Sequence, residues 1–156
     1  MDTFRPLVTA DITAKGGSAF PVEYVNCAPG DVLDAADDVV ADLIENRGWL
    51  PEHVVLLTTQ RRHPVHVELG DDKTAYWKEL WDRDMVFYST VAGFKGLERP
   101  VVVLAVDGFH ATVDPRSVMY TGMSRARDLL IIVGPSGVLT PVLGDKTMRR
   151  LQRGAK

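Results

Sequence analysis

An α/β fold, built on a parallel sheet with helices on both faces, is what this sequence predicts. Two observations carry the prediction. Strand-like runs alternate along the chain with segments of helical spacing. The runs are also apolar throughout instead of alternating polar and apolar, which marks strands buried on both sides. A length of 156 residues suffices for one domain with a sizeable core and is short for two, so residues 1–156 read as a single domain.

The first twenty residues, with AKGGS at 14–18, read as an irregular lead-in. VEYVNC (22–27) reads as a short strand, closed by the breaker APG. DVLDAADDVVADLIENRG then puts Leu33, Ala36, Val40, Leu43 and Ile44 at helical spacing, with Asp31 as N-cap and Gly48 as the stop. HVVLLTT (53–59) is a fully apolar strand core. A polar stretch containing proline follows, then a short helix around KTAYWKELWD (73–82) and a strand MVFYS (85–89). VVVLAV (101–106) is the most strand-like run. A helix at about 115–126, the strand LLIIV (129–133) and a basic tail at 145–156 complete the chain.

Composition narrows the class. Hydrophobic residues make up 46% and charged residues 25%, as in an ordinary soluble globular protein. A net charge of −3 does not mark the whole surface for nucleic acid, although local basic patches stay possible. Cys27 is the single cysteine, which excludes an intramolecular disulfide and suits a reducing compartment. The opening MDTFRPLVTA lacks an apolar signal core. No run approaches the ~20 apolar residues of a membrane span. A soluble, cytoplasmic chain is expected.

Two segments carry the chemistry when read together: STVAGFKGLERPVVVLAVDG (89–108) and VMYTGMSRARDLLIIV (118–133). The first has Thr90 at the end of a strand, then Lys95-Gly96-Leu97-Glu98 entering a second apolar strand. The second has Tyr120, Gly122 and Ser124-Arg125-Ala126 at a helix end. Together they resemble the last two signature motifs of superfamily-one DNA helicases of the UvrD/Rep type. VVLLTTQRRHP (54–64) is similar, more loosely, to the preceding motif, so the resemblance covers roughly residues 50–135.

The resemblance implies a three-layer RecA-like sheet and the second, C-terminal lobe of a two-lobe motor. It implies that Arg125 is an arginine finger reaching ATP held by the other lobe. A planar, permanently charged guanidinium matches transferring phosphoryl oxygens better than an ammonium does. It further implies that Glu98 bonds the ribose hydroxyls, with Gly96 and Arg61 or Arg62 at the nucleotide. Ser89, Thr90 and Lys95 would meet single-stranded DNA, where short hydroxyls and exposed amides suit phosphates.

Each residue also has a plainer reading. Arg125 and Arg127 would suit a helix-end ion network with Asp128 or Glu98. Glu98 would suit a surface pair with Lys95 or Arg99, worth little. Ser89 and Thr90 would suit a cap on the next turn, and Arg61 and Arg62 a solvated basic loop. His63 and His66 with Glu68 and Asp71 lack cysteine and tetrahedral spacing, so no metal site is expected. Trp77, Leu80 and Trp81 share a helical face that suits core packing, with base stacking the alternative. The tail RRLQRGAK reads as a solvated end that would, at most, steer DNA.

Departures from the family pattern stand beside the matches. Ala92 occupies a place where a histidine is usual, and Thr58 a place where an arginine is usual. No G-x-x-x-x-G-K-[ST] occurs, and no Asp-Glu pair follows an apolar strand to hold magnesium. ATP and Mg2+ would therefore be held mainly by the N-terminal RecA-like lobe of a parent chain. This lobe alone is expected neither to hydrolyse ATP nor to unwind DNA. The alternative expectation is a stand-alone, non-catalytic regulatory or binding module with the same fold.

Overall fold

A computed structural model of the protein describes residues 21–61, 63, 64, 67, 85–94 and 97–154. The irregular lead-in, the helix expected at 73–82 with Trp77, Leu80 and Trp81, and the last two residues lie outside the described residues.

Among the described residues five strands form one sheet: β1 (Val22–Val25), β2 (Val54–Thr58), β3 (Phe87–Thr90), β4 (Arg99–Ala105) and β5 (Ala126–Val133). Their order is β1-β5-β4-β2-β3, and every pairing is parallel. Parallel neighbours need crossovers, and helices supply them. These are α1 (Val32–Glu45) between β1 and β2, and α2 (Pro115–Met123) between β4 and β5. Two more helices follow β5: α3 (Ser136–Leu143) and α4 (Asp145–Gly154).

Two cores result, one on each face. Val54, Leu56, Val101, Val103, Ala105, Leu129 and Ile131 pack with Val32, Ala36, Val40 and Leu43 of α1. Val55, Leu57, Val102, Leu104, Leu130 and Ile132 pack with Met119 of α2, Leu139 of α3 and Met148 and Leu151 of α4. Successive residues of one strand serve opposite cores, so a run such as VVLL carries no polar alternation. The fold is the α/β arrangement that the apolar runs predict, a parallel sheet with helices on both faces, and it is consistent with the three-layer RecA-like form that the resemblance implies.

Details differ from expectation in instructive ways. Asp31 holds the N-cap position of α1, yet its side chain makes no capping bond. β4 and β5 begin earlier than their apolar runs, because Arg99 pairs with Ala126 in register ahead of Val101 and Leu129. Glu98 and Arg125 therefore precede their strands directly. The expected basic tail is instead the ordered helix α4, which buries Met148 and Leu151. Its basic residues mask an apolar stripe at helical spacing, and the tertiary contact secures the helix. No described helix is long and apolar enough to cross a membrane.

Gly122 brings α2 onto the sheet. A Cβ at this position would stand 2.9 Å from Leu104 Cδ1 and 3.1 Å from Val91 Cγ2. Close approach there sets the depth of α2, and with it the position of the helix end at Ser124 and Arg125.

Candidate functional site

Two edges of the sheet gather the polar side chains that the motifs single out. The strand-entry edge holds Leu97, Glu98 and Arg99 before and within β4, and Ser124, Arg125, Ala126 and Arg127 at the turn from α2 into β5. The strand-exit edge holds Thr58 to Arg61, Ser89 to Gly93, and the segment after β4. A seven-residue strand separates them, about 20 Å of backbone.

At the entry edge Arg125 is half-buried and held on three sides. Its Nε donates to the Thr121 carbonyl at 3.0 Å, Nη1 to the Leu97 carbonyl at 3.3 Å, and Nη2 to Ser124 Oγ at 3.0 Å. Its own carbonyl accepts from the Arg99 amide at 3.1 Å. A guanidinium has five N–H groups, so donors remain. No carboxylate pairs with it among the described residues. The negative end of the α2 dipole, at Ser124, favours a cation there.

Glu98 thus lies between two residues, Leu97 and Arg99, that each bond Arg125. Its carboxylate is exposed, and Oε1 lies 4.0 Å from Arg127 Nε with both side chains about half exposed. Such a pair contributes little. The ion network proposed for both arginines therefore forms, loosely, with Arg127 alone. Lys95 and Gly96 lie outside the described residues.

Arg99 is a different kind of arginine. It is 6% exposed, and its Nη1 donates to the carbonyls of Val54 at 2.7 Å, Met85 at 3.3 Å and Pro51 at 3.5 Å. Its guanidinium carbon stands 5.7 Å from the centre of the Phe87 ring. Burial draws its pKa down to about 10, against the opposing pull of the Glu52 charge, so it remains charged at neutral pH. It ties the entry ends of β2 and β3 to β4 and is not a partner of Glu98.

At the exit edge a cleft of about 790 Å³ opens between the loops after β2 and β3 and one side of α2. Thr59, Gln60, Thr90, His110, Ser117 and Thr121 supply polar groups, while Val91, Val113 and Val118 supply apolar ones. Asp107 organises one wall. Its carboxylate accepts from the amides of Gln60 at 3.1 Å and Arg61 at 2.9 Å and from Thr59 Oγ1 at 3.3 Å. Thr59 Oγ1 also donates to the Gly108 carbonyl at 2.6 Å. Gly108 has φ +134, a backbone conformation that favours glycine.

Thr90 lines this cleft, and its Oγ1 accepts from the Gly93 amide at 3.1 Å, capping the next turn. Ser89 is fully buried, and its hydroxyl donates to the Thr90 carbonyl at 2.9 Å, so it does not face the cleft. Period two explains this: neighbours on a strand point oppositely. Arg61 is exposed, and Arg62 lies outside the described residues. Thr58 is buried at the end of β2, and its Oγ1 has no hydrogen-bond partner among the described residues. Asp107 and the cleft wall from His110 to Thr121 escaped the sequence reading. The available signal was an acid followed by glycine at the end of the strongest apolar run.

His63 serves structure. It is buried, its Nε2 lies 2.7 Å from Asp37 Oδ1 on α1, and its ring stacks on Tyr88 at 4.3 Å. Among the described residues no group of three or more His, Cys, Asp or Glu side chains gathers as a metal set. His66, Glu68 and Asp71 lie outside them.

Residues 85–133 match the family model of the UvrD-like helicase C-terminal domain. The matched span contains β3, β4, α2 and β5, and so both edges' motif residues from Ser89 to Arg127. No curated protein matches the chain.

Proposed function

We propose that the chain, whose residues 85–133 match the UvrD-like helicase C-terminal domain, is the second motor lobe of an ATP-dependent DNA helicase. Its entry edge would serve ATP and its exit edge single-stranded DNA. ATP is the substrate, and with Mg2+ it is gripped by a first lobe whose phosphate-binding sequence does not occur in these 156 residues.

One observation supports the reading most strongly. Arg125 is held by carbonyl and hydroxyl acceptors, and among the described residues no carboxylate pairs with it. A cation held this way keeps its charge available for an anion that arrives from outside. When the lobes close, the guanidinium would meet charge developing on the γ-phosphoryl oxygens, bonding two of them through its fork. Glu98, exposed beside it, would accept from the ribose hydroxyls. Neither group is sufficient without the other lobe, so the isolated chain would not turn over ATP.

The exit-edge cleft would hold the nucleic-acid strand. Thr90 and the amides of its turn would contact phosphates, while Val91, Val113 and Val118 would lie against sugars and bases. Strands β3, β4 and β5 join the two edges rigidly, so closure on ATP at one edge moves the DNA edge as a body.

The test is Arg125→Ala in a parent protein containing both lobes. ATP turnover falls by roughly 10³–10⁵, while ATP affinity stays within a few-fold. Undiminished turnover overturns the assignment.

A further inference from the structure

We propose that the outward face of α4 is a second contact for the sugar–phosphate backbone of nucleic acid, remote from the exit-edge cleft. α4 is divided sharply. Thr147, Met148 and Leu151 are buried, whereas Lys146, Arg149 and Arg150 are exposed. Arg153, by its place in the sequence, extends the spacing of the basic residues to i, i+3, i+4 and i+7, about 10 Å along the helix. Lys146 and Arg149 make no ion pair among the described residues.

The charge of the chain is segregated to the same end. Residues 136–156 carry five basic residues against one acid, Asp145, whereas the whole chain carries 18 against 21. The opposite face of the sheet is covered by α1, where Asp34, Asp38, Asp42 and Glu45 are exposed and no basic residue occurs. Among the described residues the helices on the two faces thus differ in charge, acidic on α1 and basic on α4. A polyanion repelled by the net charge of −3 still finds one attractive face, and the polarity orients the encounter.

Lys146 and Arg149, like charges one turn apart without an ion pair among the described residues, repel one another. An anion laid along the stripe relieves that repulsion. Nucleic acid fits because it presents charge continuously: a duplex carries one phosphate for about every 1.7 Å of axis, so several face a 10 Å stripe at once. α4 packs over β1, at the opposite side of the sheet from β2 and β3. Strand spacing of about 4.8 Å puts it some 15–20 Å from the cleft. The stripe also lies outside the matched span 85–133.

The inference rests on the reading that this chain handles nucleic acid, and its test separates the two. Binding of a fluorescent single-stranded oligonucleotide to the chain is measured across salt concentrations, for the parent sequence and for Lys146→Gln/Arg149→Gln. Both positions are exposed and glutamine keeps helix propensity, and unchanged thermal melting verifies the fold. Removing two phosphate contacts lowers the log–log salt slope by ~1.4 and weakens binding on the order of fifty-fold at about 50 mM salt. An unchanged slope overturns the α4 contact and leaves the cleft reading standing. Absence of any oligonucleotide binding by the unsubstituted chain at low salt overturns both. Binding to phosphatidylserine vesicles but not to the oligonucleotide assigns the stripe to a membrane surface and also overturns it.

Discussion

Arg125 Nη1 donates to the Leu97 carbonyl across 3.3 Å, and that bond ties the end of α2 to the segment leading into β4. Leu97 and Arg125 are 28 residues apart; Leu97 lies two residues before the start of β4 and Arg125 directly before the start of β5. The bond and the Arg99–Ala126 register together hold the entry edge in one geometry.

Replacing Arg125 by lysine keeps the charge and loses the fork. A single ammonium cannot reach Thr121, Leu97 and Ser124 together, so at least one bond is lost. Unfolding free energy, measured by chemical denaturation, falls by about 1 kcal/mol. If Arg125 takes the proposed role, the lysine variant of a two-lobe parent is as defective in ATP turnover as the alanine variant, because an ammonium offers no bidentate fork. A fully active lysine variant would mean that charge alone suffices.

Gly122→Ala sets helix propensity against packing. Alanine gains about 1 kcal/mol inside a helix, but its Cβ meets Leu104 Cδ1 at 2.9 Å and Val91 Cγ2 at 3.1 Å. Both neighbours are buried, and valine is stiff at χ1. Overpacking of this kind costs about 1–3 kcal/mol and wins. A lowered melting temperature is expected; a raised one shows that α2 is free to shift outward.

Asp107→Ala removes the acceptor for two backbone amides and the Thr59 hydroxyl. Loss of about 1–3 kcal/mol is expected, concentrated at the exit edge. Amide exchange at Gln60 and Arg61 accelerates more than exchange in β4. Equal acceleration everywhere would contradict a local clamp.

Tyr24 makes stability sensitive to alkali. Its phenol is 3% exposed and donates to the Gly134 carbonyl at 2.7 Å. Burial lifts its pKa from 10.0 to about 12, with the Cys27 charge acting in the same direction. The folded value lies above the unfolded one, so the stabilisation is complete below about pH 10 and is lost as pH rises through about 12. Tyr24→Phe is less stable at neutral pH by about 1 kcal/mol. Its denaturation midpoint then declines less steeply across that alkaline window. Parallel curves for the two proteins would refute the assignment.

Much of the layout was legible in the residues alone. Apolar runs such as HVVLLTT and VVVLAV require burial on both faces, and only helices on both sides of a parallel sheet provide it. The two motif segments likewise carried the resemblance that the family model matches over residues 85–133, since their residue types and order are local properties. Element ends were less legible: the apolar runs stop at Val101 and Leu129, whereas pairing of Arg99 with Ala126 extends both strands.

What the tertiary structure alone decided is the fate of identical side chains. Arg99, Arg125 and Arg127 are equivalent in composition, yet one is buried on carbonyls, one is half-buried on two carbonyls and a hydroxyl at an edge, and one is exposed beside Glu98. Ser89 and Thr90 are adjacent hydroxyls, yet only Thr90 faces the cleft. The tail read as solvated became α4, because Met148 and Leu151 found an apolar surface that distant strands had assembled. Burial and hydrogen-bond partners depend on residues far apart in the chain, and no local pattern encodes the meeting.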